Sequence, residues 1–222
     1  MIKCPSSNID VYRILGIDPG TNYMGYGVLE VEDGILSVAL VGVLDIHLYK
    51  DPYEKLKKIH QRVEELVRDY EPREVAIESP FFGKNVQSML KLGRAQGVAI
   101  AAAISFGCPV AEYAPLRVKQ AIAGFGMASK EQIREIVVRT LHLNDVPKRL
   151  DATDSLAIAL CHYYETTSVI SKALGNEKVK GLGGERKALH GSKSWEQFLK
   201  ENPDREIKNN RKTETRLISV KV

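Results

Sequence analysis

A chain of 222 residues that is 44% hydrophobic and 27% charged has the length of one or two domains and enough apolar residues for a sizeable core. The first ten residues, MIKCPSSNID, contain no apolar signal-peptide core, no run approaches a membrane span, and Cys4, Cys108 and Cys161 stand far apart without CxxC spacing, which argues against a disulfide framework or thiolate zinc site and for a reducing compartment, the cytoplasm. The net charge of +4 is uneven: residues 1–164 hold 19 Lys and Arg against 20 Asp and Glu, and residues 165–222 hold 13 against 8, an asymmetry that permits a polyanionic partner.

In chain order, strand-like segments cover about 12–18, 23–31 and 35–47, joined by Asp-Pro-Gly and Asp33-Gly34 turn signals. A helix follows over DPYEKLKKIHQRVEELVRDYEP, with Leu56, Ile59, Val63, Leu66 and Val67 at helical spacing and Pro72 just past its end. REVAIES is a short strand ending on Glu78. NVQSMLKLGRAQGVAIAAAISFG is a long helix stopped by Gly107; Lys91 and Arg94 in its first half favour a core helix over a membrane span. Gly93, Gly97 and Ala101 form a small-residue stripe on it that permits close approach of the protein's own sheet or of a second subunit.

CPVAEYA reads as a strand, and PLRVKQAIAG as a helix with Pro at its start. SKEQIREIVVRTLHL opens on a capping-box pattern, Ser129 with Gln132 three residues on. DATDSLAIALCHYY is the last firm helix. Beyond Tyr164 the chain is rich in Gly and Lys and aperiodic, which reads as a flexible linker. Within it, Trp195, Phe198 and Leu199 are spaced as one face of a short docking helix. No internal repeat is visible. Five strands and five helices in this order imply an α/β fold with a mixed five-stranded sheet flanked by helices, whose active site gathers at strand ends.

Four acids fall at such ends. Asp18 breaks the apolar run Ile14-Leu15-Gly16-Ile17, Glu78 ends the isolated strand VAIE, and Asp151 and Asp154 open the last helix on one face. Each has an ordinary explanation: a turn-making Asp before Pro-Gly, an exposed strand end, an N-cap with a first-turn acid complementing the helix dipole. Their coincidence is the stronger signal. Carboxylates brought together repel one another and need protonation or a divalent cation, and an all-oxygen set favours Mg2+ or Mn2+.

ILGIDPGTNYMGYGV, VAIESPFFGKNVQSMLKLGRAQGVAIAAA, VKQAIAGFGMASKEQI and DATDSLAIALCHYY, in this order over roughly residues 13–164, resemble the RuvC family of bacterial Holliday junction resolvases. The resemblance implies an RNase H-like fold, a homodimer, symmetric paired nicks in four-way junction DNA during recombination and repair, and work beside the RuvA and RuvB branch-migration proteins. It puts Asp18, Glu78, Asp151 and Asp154 at the family's catalytic, metal-holding positions. The implied cofactor is Mg2+, with Mn2+ as a substitute, and two ions per subunit. Phe81 matches the aromatic that inserts near the crossover, and SPFFGKN is a Pro/Gly-bounded loop in which two adjacent aromatics are hard to bury together. Lys119 and Lys130 match DNA-contacting positions, against the plainer reading of solvated helix charges. The expected organisation is an extension over 1–11, a nuclease domain over 12–164 and a basic tail over 165–222, with extension and tail outside the resemblance.

Three rivals are weaker. A sugar-kinase or actin-like ATP-binding fold shares GIDPGT but needs two lobes and a second glycine-rich phosphate loop, which this chain lacks. A catalytically silent junction-binding protein has no reason to keep crowded carboxylates. An RNase H-like nuclease acting on another substrate, such as an RNA–DNA hybrid, shares fold and acids, and only Phe81 and the lysines weigh against it.

Overall fold

The computed structural model describes residues 11–80, 85–144 and 149–167. Phe81, the extension up to residue 10, and the tail with Trp195, Phe198 and Leu199 lie outside the described residues. Five strands, β1 (Val11–Asp18), β2 (Tyr23–Glu32), β3 (Ile35–Asp45), β4 (Glu74–Glu78) and β5 (Val110–Tyr113), alternate with five helices, α1 (Pro52–Tyr70), α2 (Val86–Ser105), α3 (Pro115–Ala123), α4 (Lys130–Thr140) and α5 (Leu150–Thr167). The sheet order is β3-β2-β1-β4-β5; the β1–β2 and β2–β3 pairs are antiparallel, and β1–β4 and β4–β5 are parallel. This is the mixed five-stranded sheet expected from the sequence. The last helix runs three residues past Tyr164.

Local chemistry fixes the ends. Asp33 and Gly34 both take positive φ, 49° and 81°, as the β2–β3 hairpin turn requires. Asp51 caps α1 by accepting from the Tyr53 amide at 3.0 Å. Ser129 and Gln132 make both bonds of the capping box on α4.

The central strands β1 and β4 are apolar on both faces because helices cover both. Leu15, Ile17, Val75 and Ile77 point into a core shared with Ile59, Val63 and Leu66 of α1 and with Ala95, Ala99 and Ala102 of α2. Ile14 and Ala76, one step out of phase, point into the other core with Leu156, Ala157 and Leu160 of α5 and Ile133 and Val137 of α4. By the same alternation Asp18 and Glu78, each at the C-terminal end of its strand, belong to the α5 side. Ile17 pairs with Ile77 across the parallel ladder, so the two acids are the next residues along neighbouring strands.

Helix α5 lies unusually near the sheet. Gly16 and Gly27 are paired across β1 and β2, and Gly25 is paired with Asp18. A Cβ on Gly16 would collide with the Ser155 carbonyl oxygen, one on Gly25 with that of Asp151, and one on Gly27 with the Leu156 side chain. At its far end α5 is clamped by His162, 3% exposed, whose two ring nitrogens meet Glu74 at 2.7 Å and the Tyr113 hydroxyl at 2.8 Å.

Helix α2 departs from the core helix read in the sequence. Its Ala95, Gln96, Ala99, Ala102 and Ala103 are buried, but the opposite face stays open: Val86, Leu90 and Ile104 are 65%, 54% and 57% exposed, and nothing lies within 4 Å of a Cβ built on Gly93 or Gly97. A single helix layer covers the sheet with one side only, so the small-residue stripe does not face the protein's own sheet.

Gly16→Ala should destabilise the fold by about 1–3 kcal/mol, the usual cost of overpacking, because the methyl meets helix backbone that cannot rotate away. Urea unfolding would give a lower midpoint with an unchanged slope.

Candidate active site

The glycine contacts bring the first turn of α5 against the end of β1, and with it Asp151 and Asp154. Four acids from three elements therefore surround one end of the sheet: Asp18 from β1, Glu78 from β4, and the α5 pair. Their electrostatics register the crowding. Burial first, then the charges of Glu78, Asp154 and Asp151, hold the Asp18 carboxyl well above the usual carboxylate range, against the opposing pull of Lys130. Burial and then the Asp154 charge push Glu78 up to about 7, while Lys130 and Lys119 pull it down.

Two cations partly balance the site. Lys130 places its Nζ 2.6 Å from Asp154 Oδ2; burial weakens its charge, but the Asp154 bond and the three nearby acids more than reverse that and raise it. Arg149 donates from Nε to Asp151 Oδ2 at 3.3 Å and stacks its guanidinium over the Tyr23 ring, 3.3 Å from the centroid. Lys119 lines a small cleft of about 60 Å3 together with Glu78, Lys130 and Asp154. The structure thus gathers Asp18, Glu78, Asp151, Asp154, Lys119 and Lys130 at one end of the sheet. Sequence reading missed Arg149 and Tyr23; the only linear signal was a basic residue two before Asp151.

Among the described residues no three His, Cys, Asp or Glu side chains are already drawn together tightly enough to hold an ion. Asp154 is instead paired with Lys130 and Asp151 with Arg149. The donor set nonetheless fits a hard divalent cation, being all carboxylate oxygen with no thiolate or imidazole, and its mutual repulsion is the condition such an ion relieves.

A family profile described as crossover junction endodeoxyribonuclease RuvC matches residues 14–162. The chain belongs to the RuvC family. The crossover junction endodeoxyribonuclease RuvC of Cytophaga hutchinsonii is 48% identical over 192 residues, 86% of each chain, and that of Bacteroides fragilis 47% identical over 194 residues, 86% of this chain and 94% of the relative. These alignments are longer than the span 14–162, so similarity continues beyond the segment in which the resemblance was read. Among solved structures, Thermus thermophilus RuvC in complex with a Holliday junction substrate is 35% identical with a TM-score of 0.66, covering 70% of this chain and 94% of that one. The yeast mitochondrial Holliday junction resolvase, 15% identical with a TM-score of 0.54, shares the fold. Membership of this nuclease family implies dependence on a divalent metal. No described helix is long and apolar enough to cross a membrane.

The raised Glu78 gives a pH signature. In the metal-free protein the folded state holds a proton on Glu78 that the unfolded chain releases near pH 4.5, so stability should fall as pH rises from about 4.5 through about 7. The loss is on the order of 3 kcal/mol. Thermal melts in EDTA should show this decline in wild type and a shallower one in Glu78→Gln, in which the buried Asp18 still contributes.

Proposed function

We propose that this chain is a Holliday junction resolvase: a structure-selective endodeoxyribonuclease that resolves four-way junctions by paired nicks in recombination and repair. The observation that carries this reading is the family match over 14–162, which spans the converged Asp18, Glu78, Asp151 and Asp154. A nuclease domain over 12–164, in the cytoplasm, with an N-terminal extension and a basic tail, remains our reading of the chain's organisation.

Asp18, Glu78, Asp151 and Asp154 would hold Mg2+, or Mn2+ in its place, as two ions per subunit. Bound there, the metal supplies Lewis-acid charge at the scissile phosphate and lowers the pKa of the attacking water. The chain's own residues do the rest. Asp18, on the central strand, would be the shared ligand; Glu78 and Asp151 would each hold one ion, and Asp154 would be a further ligand or orient the water. Lys130 and Lys119 offset the acids, keep phosphate approach from being purely repulsive, and contact the DNA backbone. Hydrolysis leaves 5′-phosphate and 3′-hydroxyl ends. Phe81 wedges at the crossover, and junction shape gives selectivity while phosphates give affinity.

Two symmetric cuts need two active sites, and the open face of α2 supports a homodimer. Val86, Leu90, Gly93, Gly97, Ala101 and Ile104 fall on one helical side, and the glycines let a second helix approach closely. RuvA and RuvB are the expected partners at the junction. Light scattering at micromolar concentration should give a dimer, and Gly97→Arg should shift it to monomer while its circular dichroism stays that of the wild-type fold.

A nicking assay with Mg2+ on a four-way junction, a linear duplex and an RNA–DNA hybrid tests the function. Preferential, paired cutting of the junction is expected; equal cutting of all three would overturn the assignment. Asp18→Asn should lower cleavage by at least roughly 10²–10³-fold, the scale of losing one electrostatic stabiliser. Junction affinity in a gel shift should be kept or improved, because a charge facing phosphate has gone.

A further inference from the structure

The acids occupy only one side of the sheet's end. On the other side, toward α1 and α2, opens a cavity of about 350 Å3 with the opposite charge. Four cations, Lys50, Lys55, Lys91 and Arg94, line it, with no Asp or Glu among its lining residues. That composition is far from the average of residues 1–164, where acids slightly outnumber bases. Lys55 is committed: its Nζ donates to the Thr21 carbonyl at 3.1 Å and to Asn22 Oδ1 at 2.8 Å. It thereby ties down the β1–β2 loop, whose Gly20, Thr21 and Asn22 line this cavity and follow Asp18 by two to four residues in the chain. Lys50, Lys91 and Arg94 have no ion-pair partner among the described residues. Three cations without an ion-pair partner around one concavity give it a positive potential, which favours an anion there. The exposed Tyr53 ring on the rim adds a stacking surface.

We infer that this cavity is a second phosphate subsite, which holds backbone phosphates of the strand being cut next to the one at the acids. The inference rests on the resolvase reading above. A DNA strand carries a phosphate about every 3.4 Å along the helix axis, so a strand with one phosphate at Asp18 must carry others over the neighbouring loop. The carboxylate side repels those phosphates; the far side of Thr21 and Asn22 attracts them. The loop after β1 thus separates a chemical subsite from a positioning subsite. Lys91 and Arg94, one turn apart on α2, supply a point charge and a planar fork suited to successive phosphates.

The test uses full-length protein in EDTA and fluorescence anisotropy over a salt series, on a synthetic four-way junction and on a linear duplex. Both Lys91 and Arg94 are exposed, so Lys91→Gln/Arg94→Gln should melt as wild type does. It should flatten the log–log salt slope by about 1.8, corresponding to two phosphate contacts, whereas Lys57→Gln/Arg68→Gln, which removes the same charge from α1 outside the cavity, should leave the slope unchanged. Lys91→Arg/Arg94→Lys should keep most of the slope. A methylphosphonate beside the scissile phosphate should weaken wild type but not the cavity variant. Equal flattening by both charge-removing variants, or undiminished methylphosphonate sensitivity in the cavity variant, would overturn the subsite. Wild-type protein with no preference for the junction would overturn the resolvase reading, and the slope comparison on duplex would still decide the subsite.

Discussion

The close approach of α5 to the sheet is the constraint on which the site depends. Gly16, Gly25 and Gly27 remove three side chains from the strand surface that faces the helix, and Ser155, Asp151 and Leu156 take the vacated space. Without that approach Asp151 and Asp154 would sit a side-chain layer above Asp18 and Glu78, too far for one small cluster. The other end of α5 is held by polar contacts: His162 joins Glu74 on β4 and Tyr113 on β5. A helix seated on backbone at one end and bolted by a satisfied buried histidine at the other has little freedom to slide. Rigidity of this kind is what a constellation of charged groups needs, since its members would otherwise drift apart.

That repulsion shapes the rest of the site. Burial alone would favour protonated acids, and the raised Asp18 and Glu78 register it. The protein lowers the cost with Lys130 and Arg149, each bound to one α5 acid. Both cations come from outside the sheet and are exposed enough to turn aside, so they can release the carboxylates without disturbing the core. An apolar replacement would pack better but would forfeit the charge, a trade expected at functional sites rather than in cores.

Most of the fold was legible in the sequence because its signals are local. Alternation and turn residues mark β1 to β3, heptad-like spacing marks α1, and Ser129 with Gln132 marks the start of α4; each depends on neighbours within a few residues. The acids were legible for a related reason, since Asp18 and Glu78 each break an apolar run where a bland residue would fit. Arg149 and Tyr23 were not, because their partnership joins residues far apart in sequence that meet only once α5 is seated on β2. Which neighbour the small-residue stripe of α2 would meet was not legible for a similar reason. Its Ala- and Gly-rich sequence is apolar around most of the helix, and composition cannot say which side a single layer of helices leaves uncovered.

Topology explains why the charges of opposite sign sit back to back. Among the described strands, β1 alone has an antiparallel neighbour on one side and a parallel one on the other. Its C-terminal end is therefore where the chain must either turn back as β2 or leave a gap beside β4, the switch point at which open sheets bind ligands. The Gly20–Asn22 loop closes one side of that gap, and successive residues of β1 alternate between the two helix layers. Asp18, in phase with Ile14 and Gly16, falls to the α5 side; Leu15 and Ile17 lead to the α1/α2 side, where the lysines and Arg94 stand. A period of two along one strand thus separates acid from base across the thickness of a sheet. Long-range attraction between them is weakened by the intervening loop and solvent, so neither set neutralises the other.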